Sequence, residues 1–163
     1  MTAAAPTPAS AMVCVKPRLE EAQALAVEGG EIADDLHVTL CFLGEIDEDQ
    51  VARVLEVLRP VAMKHAPLAG QVGGVGAFAD NGDGYPAILL PSVPGLVELR
   101  VAVTQALVHA GIDYAREYGF IPHCTVAYGS DGDDPLGDSE EFTGKPLHFD
   151  ELVNPHARSA LDA

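Results

Sequence analysis

The chain has 163 residues, a mass of 17.0 kDa and 48% apolar residues, which suits one domain with a buried core and is too apolar for a disordered chain. Its 9 Lys and Arg stand against 25 Asp and Glu, a formal charge of 9 − 25 = −16. That balance repels a nucleic-acid backbone, so it argues against a duplex partner and leaves a small nucleotide or an RNA end. No apolar run approaches the length of a membrane span.

In chain order, residues 1–11, MTAAAPTPASA, lack the basic start and apolar centre of a secretory signal and read as a floppy tail. The folded domain is expected over 12–153, with a second tail at 154–163. Met12–Lys16 reads as a strand. Pro17 suits a first helical turn, and Leu19–Val27 reads as a short helix ended by Gly29-Gly30. Leu36–Leu43 reads as a strand. Asp47 with Gln50 three residues on resembles a capping box, and Val51, Val54, Leu55 and Leu58 follow at helical spacing. Pro60 should end or kink that helix.

Leu68–Phe78 is Gly-rich and strand-like, residues 80–84 form a turn, and Ala87–Leu90 is another strand. Leu96, Leu99, Val103, Leu107 and Ala110 give a helical stripe stopped by Gly111. A strand over 120–129, an acidic loop over 130–141 and an apolar run at Leu147–Val153 complete the chain. Cys14, Cys41 and Cys124 show no Cys-x-x-Cys spacing and read as reduced core thiols, hence a cytoplasmic chain. Short loops and mixed elements argue α+β with largely antiparallel sheet. A helix precedes each of two similar strands by about ten residues, which suggests a weak internal duplication with a pseudo-twofold.

Those two strands carry the chemistry. LHVTLCFLG at 36–44 holds His37-Val38-Thr39, and FIPHCTVAYG at 120–129 holds His123-Cys124-Thr125. Side chains alternate along a strand, so each His shares a face with its Thr while Val38, Leu40, Cys124 and Val126 turn to the core. Six His and six Thr would give about 0.2 such tripeptides by accident, on a rough false-positive estimate. An imidazole that titrates near neutral pH can take a proton while a second gives one. His37 and His123 are therefore the candidate catalytic pair. Thr39 and Thr125 are candidate donors to non-bridging phosphate oxygens.

The paired His-x-Thr-hydrophobic motifs resemble those of the 2H phosphoesterase superfamily, the 2′-5′ RNA ligase-like or cyclic phosphodiesterase proteins. HVTLCFLGE at 37–45 is similar to the first family motif and GFIPHCTVAYG at 119–129 to the second. The resemblance covers roughly residues 12–129. It implies a bilobal fold of two largely antiparallel sheets with outer helices around a central cleft. It also implies a monomeric phosphodiesterase acting on a cyclic or 2′-5′-linked nucleotide phosphate, with RNA 2′-5′ ligation as the alternative direction. A non-catalytic nucleotide-binding module is the rival reading.

Tyr118, Phe120 and Tyr128 flank the second motif and can stack on a base. Arg116 is a candidate phosphate partner, with a surface salt bridge the equal alternative. His65 and His109 suit helix ends, and His148 and His156 lie in the poorly matched tail. No His, Cys, Asp or Glu set has metal-ligand spacing, so no metal or other cofactor is expected. The acidic loop lacks the oxygen ligand and Gly of a calcium loop. VGGVGAF at 72–78 is not a phosphate-binding glycine loop.

Overall fold

The computed structural model describes residues 10–80, 82, 84–116, 119–130, 134–137, 139–154 and 157–160. The strands are β1 (Ser10–Pro17), β2 (Val38–Glu45), β3 (Leu68–Ala77), β4 (Tyr85–Ser92), β5 (Cys124–Gly129), β6 (Pro146–Asn154) and β7 (Ala157–Ala160). The helices are α1 (Leu19–Leu25), α2 (Glu48–Lys64) and α3 (Leu96–His109). The class is α+β, and every strand pairing is antiparallel. No described helix is long and apolar enough to cross a membrane.

The two expected sheets are instead one. The strand order is β2-β1-β6-β3-β4-β5, with β7 on β6. The cause is β6: its first part pairs with β3, from Leu147↔Gly70 to Phe149↔Leu68, and its later part with β1, at Leu152↔Val15 and Val153↔Cys14. A nine-residue strand is long enough to join the β2-β1 pair to the three strands β3-β4-β5 through one backbone. The strands at the two ends of that order, β2 and β5, carry the two motifs.

The core faces explain the rest. Val13, Val15, Val38 and Leu40 join Leu89, Val126 and Phe149 in one cluster. On α2, Val51, Val54, Leu58 and Ala62 are buried, and on α3, Leu96, Leu99, Val103 and Leu107. The capping box forms: Gln50 N donates to Asp47 Oδ1 at 2.8 Å and Asp47 N to Gln50 Oε1 at 3.0 Å. Gly111 follows α3 at φ 73, the left-handed conformation that glycine adopts without strain.

Several boundaries differ from the sequence expectation. β1 starts at Ser10, two residues before Met12, and Ala11 is buried opposite Gly44. At the other end Asn154 and 157–160 pair as strand where a tail is expected. Such pairing rests on backbone hydrogen bonds and leaves little apolar signature. Residues 1–9 lie outside the described set. Pro17 ends β1 rather than starting α1. The Arg18 and His148 amides there donate to Oε1 of buried Glu21, at 3.3 and 2.7 Å, and His148 Nδ1 lies 2.5 Å from Glu21 Oε2. The helix α2 does not end at Pro60. Pro60 faces solvent, and the buried residues Leu58 and Ala62 on either side hold the helix to the core.

Candidate active site

Both motif histidines sit one residue before their strand, not within it. Each ring is held the same way. His37 Nδ1 lies 2.8 Å from the Asp35 carbonyl and His123 Nδ1 2.7 Å from the Ile121 carbonyl, in each case two residues upstream. A carbonyl only accepts, so Nδ1 donates. The contact fixes the tautomer and leaves Nε2 as the proton-accepting nitrogen.

The strands beyond the histidines repeat one another. Val13 opposes Cys41 and Cys14 opposes Thr39, so Leu40 is an extra residue in β2. Ala87 opposes Ala127 and Ile88 opposes Thr125, so Val126 is an extra residue in β5. Each bulge falls three residues after its His. Leu40 with Cys41, and Val126 with Ala127, are buried in succession, and then alternation resumes. Bulges re-aim side chains in this way. His37, Thr39 and Phe42 therefore share one side of β2, and His123, Thr125 and Tyr128 the matching side of β5.

Backbone contacts bring the two motifs together. The His37 main-chain amide lies beside the Cys124 thiol, one residue from His123. Glu31 N donates to the Val126 carbonyl at 2.8 Å, and Ala115 N to the Phe42 carbonyl at 2.8 Å. The segment leading into each motif thus lies along the other motif's strand. Only glycine fits at residue 30, where a Cβ would collide with the Val126 oxygen. Arg100 Nε donates to the Leu40 carbonyl at 3.2 Å, and its guanidinium lies 4.8 Å from the Phe120 ring centre.

The two neighbourhoods differ. Val15 opposes Val38 in the core, so Lys16 projects on the side of His37. Its Nζ is 3.6 Å from Asp34 Oδ1. Lys16 and Asp34 line a cavity of about 300 Å³ together with Arg18 and Asp150, and His37 is not part of its lining. Arg18 and Asp150 pair, Nε to Oδ2 at 2.8 Å and Nη2 to Oδ1 at 3.3 Å. The hydrogen bond from Arg18 holds the Asp150 carboxyl below its ordinary value. Around His123 the surface is apolar. The Phe78 ring meets the imidazole edge-on, centroids 4.7 Å apart at 87°. Ile88 lies between Thr125 and Gly76, and Gly74 lies opposite Leu90. A Cβ on Gly74 would touch nothing within 4 Å, which leaves this floor open.

The remaining expectations sort as follows. Thr39 Oγ1 contacts Met12 Sδ at 3.5 Å, and Thr39 and Thr125 are both half-buried. Arg116 is exposed and lies 4.6 Å from the Tyr114 ring centre. Tyr118 and His156 lie outside the described residues. His65 Nδ1 bonds the Val61 carbonyl at 2.9 Å. The three thiols are unpaired and buried. Burial pushes Cys14 up to about 11 and Cys41 and Cys124 up to about 12, so none supplies a thiolate. Among the described residues no group of three His, Cys, Asp or Glu could hold a metal ion. Sequence reading passed over Lys16, Phe78 and Arg100. The apolar alternation of Val13 and Val15 carried the signal for Lys16; Phe78 and Arg100 had none.

Comparison with known proteins agrees with this geometry. The sequence matches the 2′-5′ RNA ligase superfamily over residues 17–147. It is 33% identical over 106 residues to an RNA 2′,3′-cyclic phosphodiesterase of Geobacillus stearothermophilus, a match covering 63% of this chain and 33% of that protein. It is 33% identical over 115 residues to an RNA 2′,3′-cyclic phosphodiesterase of Archaeoglobus fulgidus, covering 69% of this chain and 62% of that protein. The chain thus matches less than two thirds of either relative's length. The fold is similar to that of a Thermus thermophilus protein, with a TM-score of 0.72 at 17% identity over 93% of this chain and 97% of that one. It is also similar to Escherichia coli LigT complexed with 3′-AMP, with a TM-score of 0.69 at 17% identity over 94% and 98%. The chain belongs to the 2′-5′ RNA ligase superfamily, the 2H phosphoesterases.

Proposed function

We propose that the chain is a metal-independent phosphodiesterase acting on a cyclic or 2′-5′-linked nucleotide phosphate, with His37 and His123 as general base and general acid. The observation that carries this reading is the matched anchoring of the two rings, each Nδ1 on the carbonyl two residues upstream. One Nε2 takes a proton from the attacking water as its oxygen bonds phosphorus. The other gives a proton to the ribose oxygen as the P–O bond to it breaks. Thr39 and Thr125 hydroxyls donate to the non-bridging oxygens, where negative charge builds. Tyr118 and Arg116 are proposed to touch substrate, the ring by stacking on a base and the guanidinium on phosphate. Lys16, which pairs with Asp34 three residues before His37, is one of few cations in a chain of formal charge −16, where focused positive potential is what an anionic substrate needs. The names of the Geobacillus and Archaeoglobus relatives and the 3′-AMP held by LigT favour a small nucleotide or RNA end.

The test is turnover of 2′,3′-cyclic nucleotides and a 2′-5′ dinucleotide, with and without EDTA. Turnover that survives EDTA and collapses in His123→Ala supports the reading. Loss in EDTA with recovery on adding zinc or manganese overturns it.

A further inference from the structure

The two imidazoles share a carbonyl anchor but not what stands beside it. A hydrogen bond from Nδ1 to a carbonyl holds one point of each ring. It leaves the ring free to swing about that bond, and a swing moves Nε2, the atom that would exchange a proton. At His123 a second contact meets the ring. The Phe78 ring stands at 87° to it with centroids 4.7 Å apart, the edge-to-face geometry that aromatic pairs favour. Among the described residues, His37 has the carbonyl anchor without such a ring.

Phe78 is itself held in place. It follows Ala77, the last residue of β3, and its amide donates to the Pro86 carbonyl at 3.0 Å, which carries the β3–β4 ladder one step further. Gly76 opposes Ile88, and Ile88 opposes Thr125. Alternation therefore puts Phe78, two residues after Gly76, on the side that carries His123 and Thr125. We infer that Phe78 is a positioning residue for His123: its ring closes the swing that the Ile121 carbonyl leaves open, and so fixes where Nε2 points. This rests on the reading of His123 as an acid–base group. An aromatic pair of this geometry biases the held orientation about 2- to 12-fold, well short of the loss expected when the imidazole itself is removed. Phe78 acts through His123 and not on the substrate, so its effect falls on kcat and leaves KM alone.

The experiment pairs kinetics on a 2′,3′-cyclic nucleotide with side-chain NMR of the substrate-free protein, in wild type, Phe78→Ala, Phe78→Leu and Phe78→Tyr. The alanine and leucine variants are expected to lower kcat about 2- to 12-fold with KM unchanged, and Phe78→Tyr to keep both at the wild-type values. The carbon-bound ring protons of His123 should show a ring-current displacement in wild type and Phe78→Tyr that is lost in the other two, while those of His37 stay in place. Circular dichroism should report unchanged folding, and if Phe78→Ala does not fold, Phe78→Leu decides the matter. Unchanged kcat, a rise in KM at constant kcat, or His123 resonances indifferent to the substitution would each overturn the proposal. If wild type turns over no substrate, the phosphodiesterase reading fails and the role of Phe78 falls with it, even where the His123 resonances respond.

Discussion

The surroundings of His37 and of His123 make the most instructive contrast in the molecule. The two share the ring anchor and the bulge three residues on. The side chains beyond differ. Upstream of His37, Asp34 pairs with Lys16 beside a cavity that holds the Arg18–Asp150 pair. His123 borders the Phe78 ring and a floor of Leu90, Ile88, Gly74 and Gly76. One kind of backbone anchor thus presents two imidazoles, and in the proposed mechanism unequal neighbours would decide which acts as acid and which as base.

The largest expected effect tests the pair. His37→Ala and His123→Ala should each cost about 10²–10⁴-fold in turnover, as for general acid–base groups. The double variant should lose far less than the product of the two, because the pair acts as a unit. Additive losses in steady-state kinetics would mean that the two imidazoles work independently.

The shared backbone can be broken through its packing. Leu40, the bulge residue of β2, is 1% exposed, so Leu40→Ala should cost about 2–5 kcal/mol in denaturant unfolding. Gly30→Ala forces a Cβ against the Val126 oxygen and should cost about 1–3 kcal/mol as overpacking does. A Gly30→Ala protein as stable as wild type would show that the segment before β2 does not press on β5.

The charged neighbourhood can be removed by itself. Lys16→Met should raise KM for an anionic substrate and flatten the salt dependence of kcat/KM, with kcat little changed. An unchanged salt profile would separate Lys16 from substrate. The smallest effect belongs to Asp150. Its carboxyl is held below the ordinary value by Arg18, so the folded state binds that proton less readily than the unfolded chain. The stability from the pair is present above about pH 4 and fades as pH falls through the folded value. Asp150→Asn should flatten the acid side of Tm against pH slightly, because the pair is largely exposed and screened.

How much of this was legible follows from which forces are local. The His-x-Thr tripeptides, the helix stripe from Leu96 to Leu107 and the Asp47 capping box are written in residues a few positions apart, and they read directly. The bulges were not read, although Leu40-Cys41 and Val126-Ala127 break the polar–apolar alternation and could have marked them. Fusion into one sheet depends on β6 reaching β1 and β3, a pairing between residues more than seventy positions apart that no local pattern encodes. Pro60 misled because its missing amide matters less on an exposed helix face than the apolar residues around it. The place of Phe78 against His123 is likewise tertiary. Arg116 and Tyr118 were chosen for nearness in sequence; the former lies over Tyr114, and the latter is outside the described residues.

The central claim is that His37 and His123 divide one proton transfer each across a single phosphate. It is tested most directly by the pH dependence of kcat/KM for a cyclic nucleotide in wild type and in each single His variant. The account predicts a bell for wild type, with one limb lost in His37→Ala and the opposite limb lost in His123→Ala. A bell that keeps both limbs in either variant, or loss of the same limb in both, would contradict it.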